Sequence, residues 1–504
     1  MDRRLIAIIL YSFFVNADTI SSVGNQTKSI EHEFIYEKDE KNDLNLQDYA
    51  LRASTGNDIQ ATPITDVGIA AEIKANETHI YTLNVSQQPV HANLSLSECS
   101  RSNLNQKPLN LMVNGFHNNT SDGGFLQVDA NIIGDNLIEI TSPETDDPNA
   151  TWSYELGIDE SASYSFPYEA LFFVDSDFAN ALFVTSALKY FRYLAFGTPY
   201  QSLINSSAPL DSTELFSLFL RPHDQNFPLS KSYCGVQNYA IINQNNANYS
   251  VSNRLDDNDE RPSKGQFLIN GLNRSASYDI HLGIPSTHGY IGGALFDPVI
   301  FSTKQEDSCQ LIYNMTNCPE IAFSVPGNAS AFTRERLTEV YDNYVGVFLQ
   351  NFTQALDQVN CDDSLQNMFS IFSTCQMCSQ AYTNWACTVN VPRCEDWSNN
   401  ASYLIPREVN NSRNDLINEI IQPGKYKEIL PCYWLCYNVA TYCPSLFNFL
   451  CPSGEYLNLT YGFPSDNGDV SCSYPGAVYK RANSGVSLRP ILWMILMSIM
   501  VSFI

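Results

Sequence analysis

The stretch CQMCSQAYTNWACTVNVPRC, from Cys375 to Cys394, places four cysteines within 20 residues. Thiols this close hold a metal, cycle between thiolate and disulfide, or staple a fold. All seven histidines, at positions 32, 79, 91, 117, 223, 281 and 288, lie N-terminal to the stretch, so no Cys/His zinc site forms within it. A redox pair at Cys375 and Cys378 would need a βαβ scaffold, and the surrounding sequence lacks one. Staples are left, provided that the compartment is oxidising.

The N-terminus addresses the compartment. Arg3 and Arg4 precede the apolar run LIAIILYSFFV, and Val15-Asn16-Ala17 supplies small residues at a cleavage point. This reads as a signal peptide over residues 1–17, cut after Ala17. N-glycosylation acceptors recur from end to end, at Asn25, Asn76, Asn84, Asn93, Asn118, Asn119, Asn149, Asn205, Asn248, Asn273, Asn314, Asn328, Asn351, Asn400, Asn410 and Asn458. Together they predict a lumenal or extracellular chain in which cysteines oxidise. Of 14 cysteines, ten fall between 361 and 472 (Cys361, Cys375, Cys378, Cys387, Cys394, Cys432, Cys436, Cys443, Cys451, Cys472), and four precede them (Cys99, Cys234, Cys309, Cys318). Both groups are even, the first at the density of a disulfide scaffold, and connectivity is open. The net charge of −26 makes nucleic acid and anionic lipid poor partners.

Elements must position these staples. Residues 18–62 are acidic and aperiodic and are expected to form a linker with little fixed structure. Short alternating runs over 63–160, such as HIYTLNVS and TWSYELGI, predict a β-sandwich-like domain. A second β-rich domain is expected over 161–305, with strands in ALFFVDSDF (170–178), SYCGVQNYAII (232–242) and ASYDIHLGI (276–284). SYELGI and SYDIHLGI end the two blocks alike and hint at a duplicated sandwich. From 306 to 478 the pattern turns helical. Apolar residues from 337 to 359 gather on one arc, predicting a long amphipathic helix within Thr333–Asn360 whose rim carries Asn351. Helices are also expected over LQNMFSIFSTCQMC and CYWLCYNVATYC, the latter with Cys432, Cys436 and Cys443 on one face. The fold class is therefore α+β multidomain: β-sandwich-like domains followed by a disulfide-rich helical domain.

The runs STCQMCSQAYTNWACTVNVPRCEDW and LPCYWLCYNVATYCPSLFNFLCP resemble the cysteine-rich C-terminal region of the fungal mating-induced-death family, the stretch-activated calcium channel component. They are similar, more distantly, to the Frizzled-like cysteine-rich domain and to the auxiliary factor of the vertebrate sodium-leak channel. The resemblance is specific over about residues 361–475. It implies a Frizzled-like helical domain in a regulatory subunit at the extracellular face of the plasma membrane, working with a large four-repeat, voltage-gated-type pore subunit to admit calcium.

Two internal runs have membrane-like hydropathy. Residues 170–188 carry Asp175 and Asp177, each costing about 2.5 to 3.5 kcal/mol in a bilayer centre, and 433–452 is interrupted by Pro444. Both are expected to be buried core. Residues 479–504 read as a stem and an apolar anchor signal, with PILWMILMSIMVSFI as the tail and Asn483-Ser484-Gly485 as the lipid-attachment point, a short tail anchor being the alternative. No nucleophile-elbow, zincin or phosphate-loop pattern occurs, and the acidic runs at Asp256 and Asp466 depart from an EF-hand. The expectation is a non-enzyme without cofactor or metal. The alternatives are a Frizzled-like ligand- or lipid-binding receptor domain, showing an apolar groove, and a lipid-anchored wall enzyme, showing a carboxylate-lined cleft.

Overall fold

The structure, a computed structural model, describes residues 50–479 apart from 55–61, 65–67, 115, 119–122, 159–161, 190, 192–211, 243–248, 256–261, 287–290 and 360–372. The signal sequence, most of the leader, Cys361 and the C-terminal segment with Asn483 lie outside the described residues, as do the acceptors Asn25, Asn119, Asn205 and Asn248.

The first β block is one eight-stranded sheet built on two long antiparallel strands, Thr78–Arg101 and Phe125–Thr141, whose register shifts between Val85 and Val90. Thr151–Ile158 pairs with both Thr78–Arg101 and Gly68–Lys74. Alternation puts Trp152, Tyr154 and Leu156 inside, with Leu83, Leu94, Ile138 and Ile140. Trp152 is fully buried and donates its indole N–H to the Lys107 carbonyl at 3.1 Å, which satisfies its one polar atom. Ala50–Ser54, within the stretch expected to be linker, is a strand paired to Thr78–Arg101.

The second block holds a four-stranded sheet (Leu171–Ser176, Asn180–Thr185, Pro262–Asn270, Tyr249–Leu255) and a five-stranded sheet centred on Ser277–Pro285. Their inner faces share one core: Leu171, Phe183 and Phe267 from the first meet Leu218, Ile280, Leu282 and Phe296 from the second. The segment 232–242 is not a strand but a helix, α1 (Tyr233–Tyr239). Ser232 caps it by accepting the Gly235 N–H at 3.1 Å, and Tyr233 and Val236 bury on the outer face of the five-stranded sheet with Phe219 and Leu295.

The outer face of the four-stranded sheet is covered as well. Val174, Leu182, Val184 and Leu268 pack on Leu311 and Ala322, from the strand pair Cys309–Ile312 and Phe323–Pro326 and the turn leading into it. A strand buried on both faces reads as a continuous apolar run, which explains the hydropathy of 170–188: it contains a hairpin, Leu171–Ser176 with Asn180–Thr185.

The strand pair also anchors the cysteine-rich region. Helix α2 (Arg334–Leu356), capped by Thr333, lays Leu337, Tyr341 and Val345 on it. Residues 365–372 of the helix expected over LQNMFSIFSTCQMC lie outside the described residues; helix α3 covers Cys375–Asn390, starting where Thr374 accepts the Met377 N–H at 3.1 Å. A three-stranded sheet, in the order Arg393–Glu395, Tyr426–Ile429, Leu404–Arg407, and helix α4 (Tyr433–Tyr442) follow. Among the described residues no helix is long and apolar enough to cross a membrane.

Disulfides join Cys99 to Cys234, Cys309 to Cys394, Cys318 to Cys387, Cys378 to Cys443, Cys432 to Cys472 and Cys436 to Cys451. Cys375 is disulfide-bonded as well, and none of the described cysteines is free. The two sequence groups are not two sets of pairs, because Cys309 and Cys318 reach across to Cys394 and Cys387. The staples thereby fasten the strand pair to α3 and to the three-stranded sheet.

Candidate functional site

From Pro431 to Ser465 there is one charged side chain, Glu455, in a chain that is 16% charged overall. Helix α4 opens this segment. Cys432 precedes it, Cys443 follows it, and both are buried with Leu435, Cys436 and Val439, so three disulfides hold the helix along one side. Tyr437 is exposed, 6.0 Å from the ring of Tyr433, which stacks on Phe463 at 5.1 Å.

After α4, Pro444 prevents the helix from continuing. In the loop that follows, Phe447 and Phe449 turn inward to Phe352 and Leu446 and Leu450 turn out, each 81% exposed. Asn448 sits between the two phenylalanines in the left-handed region (φ 49°), a conformation that asparagine tolerates better than most residues. Both roots of the loop are pinned, Cys443 to Cys378 on α3 and Cys451 to Cys436 on α4. Helix α5 (Glu455–Thr460) then exposes Tyr456 and Leu459, three positions apart and 74% and 66% accessible. Its far end is tied to α3 where Trp385 donates its indole N–H to the Tyr461 hydroxyl at 2.9 Å. Tyr437, Leu446, Leu450, Tyr456, Leu459 and Phe463 are thus large apolar side chains exposed from one nearly uncharged segment on a braced frame. Large exposed apolar side chains that a fold holds rigid are the usual make-up of a protein-binding patch.

A buried ion cluster lies at the junction of the four-stranded sheet and the cysteine-rich region. Asp175 accepts from Lys304 Nζ at 2.7 Å, Arg393 Nε at 2.9 Å, and the backbone N–H groups of Ser176 and Ser324. Lys304 also pairs with Glu395 at 3.0 Å, and the Arg393 guanidinium lies 5.1 Å from the Tyr479 ring and 5.2 Å from that of Phe323. Burial pushes the Asp175 carboxyl up, but Lys304 and Arg393 outweigh it and hold the group below its ordinary value. Burial likewise pulls Lys304 down, while Asp175 and Glu395 hold it above the usual lysine value. Asp175, Lys304 and Arg393 are thereby held in their ionised forms.

Beside the cluster is a cavity of about 580 Å³ whose lining includes Glu169, Asp175, Glu395, Asp396 and Asp469. Asp175 and Glu395 are held by Lys304, and Asp396 accepts the backbone N–H groups of Gln305 and Glu306. Among metal-ligand side chains, Cys99, Glu155 and Cys234 come within 4.8 Å of one another, but the two sulfurs are bonded to each other. His223 pairs with Asp279 at 2.5 Å, and His281 is buried in the five-stranded sheet. The acceptors Asn76, Asn149, Asn273, Asn314, Asn351, Asn400, Asn410 and Asn458 are exposed, and Asn93 and Asn328 are half-buried. Asn84 and Asn118 lie on strands.

Fold and site define a disulfide-stapled, β-rich protein whose cysteine-rich region exposes large apolar side chains in a nearly uncharged segment. The chain matches the family described as Mid1, stretch-activated Ca2+-permeable channel component, over residues 68–478, and it belongs to that family. It is 36% identical over 356 residues to the stretch-activated cation channel yam8 of Schizosaccharomyces pombe, covering 68% of each chain. It is 27% identical over 445 residues to the stretch-activated cation channel MID1 of Saccharomyces cerevisiae, covering 82% of this chain and 77% of the relative. These relatives are named as channels and not as enzymes. The CBM36-1 domain of a xylanase from a termite hindgut metagenome aligns with 22% of this chain and 96% of its own length, at 16% identity and a TM-score of 0.13, too low to define the fold.

Proposed function

We propose that this chain is the regulatory subunit of a plasma-membrane calcium channel, and that it docks on the extracellular loops of a large four-repeat, voltage-gated-type pore subunit. The observation that carries the reading is the apolar face between Pro431 and Ser465. An acidic, multiply glycosylatable chain keeps one stretch almost free of charge, braces it with disulfides and points leucines and tyrosines outward. Because the loop is pinned at both ends, little ordering entropy opposes its association, and binding there biases the assembly or gating of the pore. The chain acts without catalysis, held at the membrane through its C-terminal segment.

The test is the double variant Leu446→Ala/Leu450→Ala, compared with the native chain at matched surface abundance. Anchors of this kind contribute on the order of 2 kcal/mol each, so co-precipitation of the pore subunit and calcium influx should fall together. Native levels of both in the variant would remove the face from consideration.

A further inference from the structure

Asn458 opens the acceptor triplet Asn458-Leu459-Thr460, and it is the one such acceptor within residues 431–465. Helix α5 turns Leu457 toward the protein. At about 100° per residue, the opposite arc carries Asn458, Glu455, Leu459 and Tyr456 in that order, and all four are exposed. The acceptor therefore stands at one edge of the same helical surface that presents two of the apolar anchors.

We propose that Asn458 is a modification gate on the docking face. With its amide unmodified the face seats on the pore subunit, and with an N-linked oligosaccharide it is closed. The inference rests on the docking reading above. In the modification, Asn458 Nδ2 bonds to the anomeric carbon of a sugar carried on a lipid pyrophosphate. The bond from that carbon to the pyrophosphate oxygen breaks, the carrier leaves as the pyrophosphate anion, and the amide gives up a proton. The product is bulky and hydrated. Beside Leu459 it holds water where an apolar anchor must exclude it, so a glycan here and a closed contact at Leu459 are mutually exclusive.

The experiment uses full-length protein from membranes, separated into pore-associated and free pools, with glycan occupancy of the Asn458 peptide read by mass spectrometry. The bound pool should be depleted in the modified form by about tenfold, equivalent to about 1.4 kcal/mol of lost contact. Asn458→Gln, which leaves Leu459 and Tyr456 in place, should enlarge the bound share. Equal occupancy in the two pools, or an unmodified Asn458 in both, overturns the gate. Separate failure of the docking reading shows elsewhere: Leu446→Ala/Leu450→Ala would then retain association, whatever the state of Asn458. Lost association in that double variant, together with full occupancy in the native bound pool, would defeat the gate alone.

Discussion

The junction around Asp175 and the face around Leu446 invert the usual distribution of side chains. At the junction, ions with almost no solvent exposure are held by one another, by backbone N–H groups and by two aromatic rings. On the face, apolar side chains stand in water, supported from beneath by disulfides. Removing one member of a buried ion cluster leaves an opposite charge buried and under-compensated, so the junction should be sensitive to loss. An exposed leucine contributes little to its own fold, so the face is open to change as far as folding is concerned. The two regions separate what keeps this molecule folded from what it exposes to solvent.

Breaking the junction should have the largest effect. Arg393→Met leaves Lys304 as the only cation paired with Asp175 and removes a fully buried guanidinium, at a cost of about 3–5 kcal/mol. Thermal or denaturant unfolding should show the loss, and a native midpoint would mean that the cluster is not under strain from desolvation. Next comes the loop brace. Cys436→Ser/Cys451→Ser opens a disulfide with a sequence separation of 15, worth about 3 kcal/mol. Its pore association should fall by more than the unfolded fraction explains, because Leu446 and Leu450 lose their fixed presentation. Co-precipitation normalised to folded protein reads that excess, and a strictly proportional loss would make the brace a matter of stability only.

A smaller effect separates a buried neutral group from the buried ions. Burial pulls the His281 imidazole down to about 3. The unfolded chain takes up this proton near pH 6.5, whereas the folded chain refuses it until near pH 3, so stability falls with pH across that window by about 1.4 kcal/mol per unit. His281→Met should flatten the slope between pH 6 and 4. The Asp175 contribution runs on a different scale: its carboxyl is held below the ordinary value, so its stabilisation persists above the unfolded value and is lost only in stronger acid. Smallest of all is the folding effect of Leu446→Ala/Leu450→Ala, expected within about 0.5 kcal/mol per site because the side chains are already hydrated. A large destabilisation there would mean that the leucines serve the domain and not a partner.

Much of this arrangement was legible in the sequence, and the parts that were not have physical reasons. Compartment and cysteine count pointed to staples, and the apolar arc from 337 predicted the helix found at Arg334–Leu356. The segment 232–242 was misread as a strand because its apolar residues also suit a pleated face, although Ser232 three residues before Gly235 is a cap signal in plain view. Of the helix expected over 365–378, residues 365–372 lie outside the described residues, and the helix α3 that starts at Cys375 has Thr374 as its cap cue. The apolar segment is visible as an uncharged run, but hydropathy cannot distinguish leucines that line a core from leucines that stand in solvent. That distinction depends on Asn448, whose left-handed turn sends the phenylalanines one way and the leucines the other. Asp175 was singled out for its cost in a bilayer, yet its partners could not be named from spacing.

The separation between Asp175 and Arg393 is 218 residues. At ribosomal rates of about 5–20 residues per second, roughly 10–40 s pass between the synthesis of the carboxylate and that of its guanidinium partner. Leu311 and Ala322, which cover the outer face of the hairpin at 171–185, come before Arg393 in the chain, so the face can be covered before its carboxylate is fully paired. The nascent sandwich therefore carries a timer in its own core. A chain that stops before Arg393 keeps an incompletely paired carboxylate, and one that stops before Leu311 keeps an apolar sheet face on show as well, which marks it as unfinished to any chaperone that reads exposed surface.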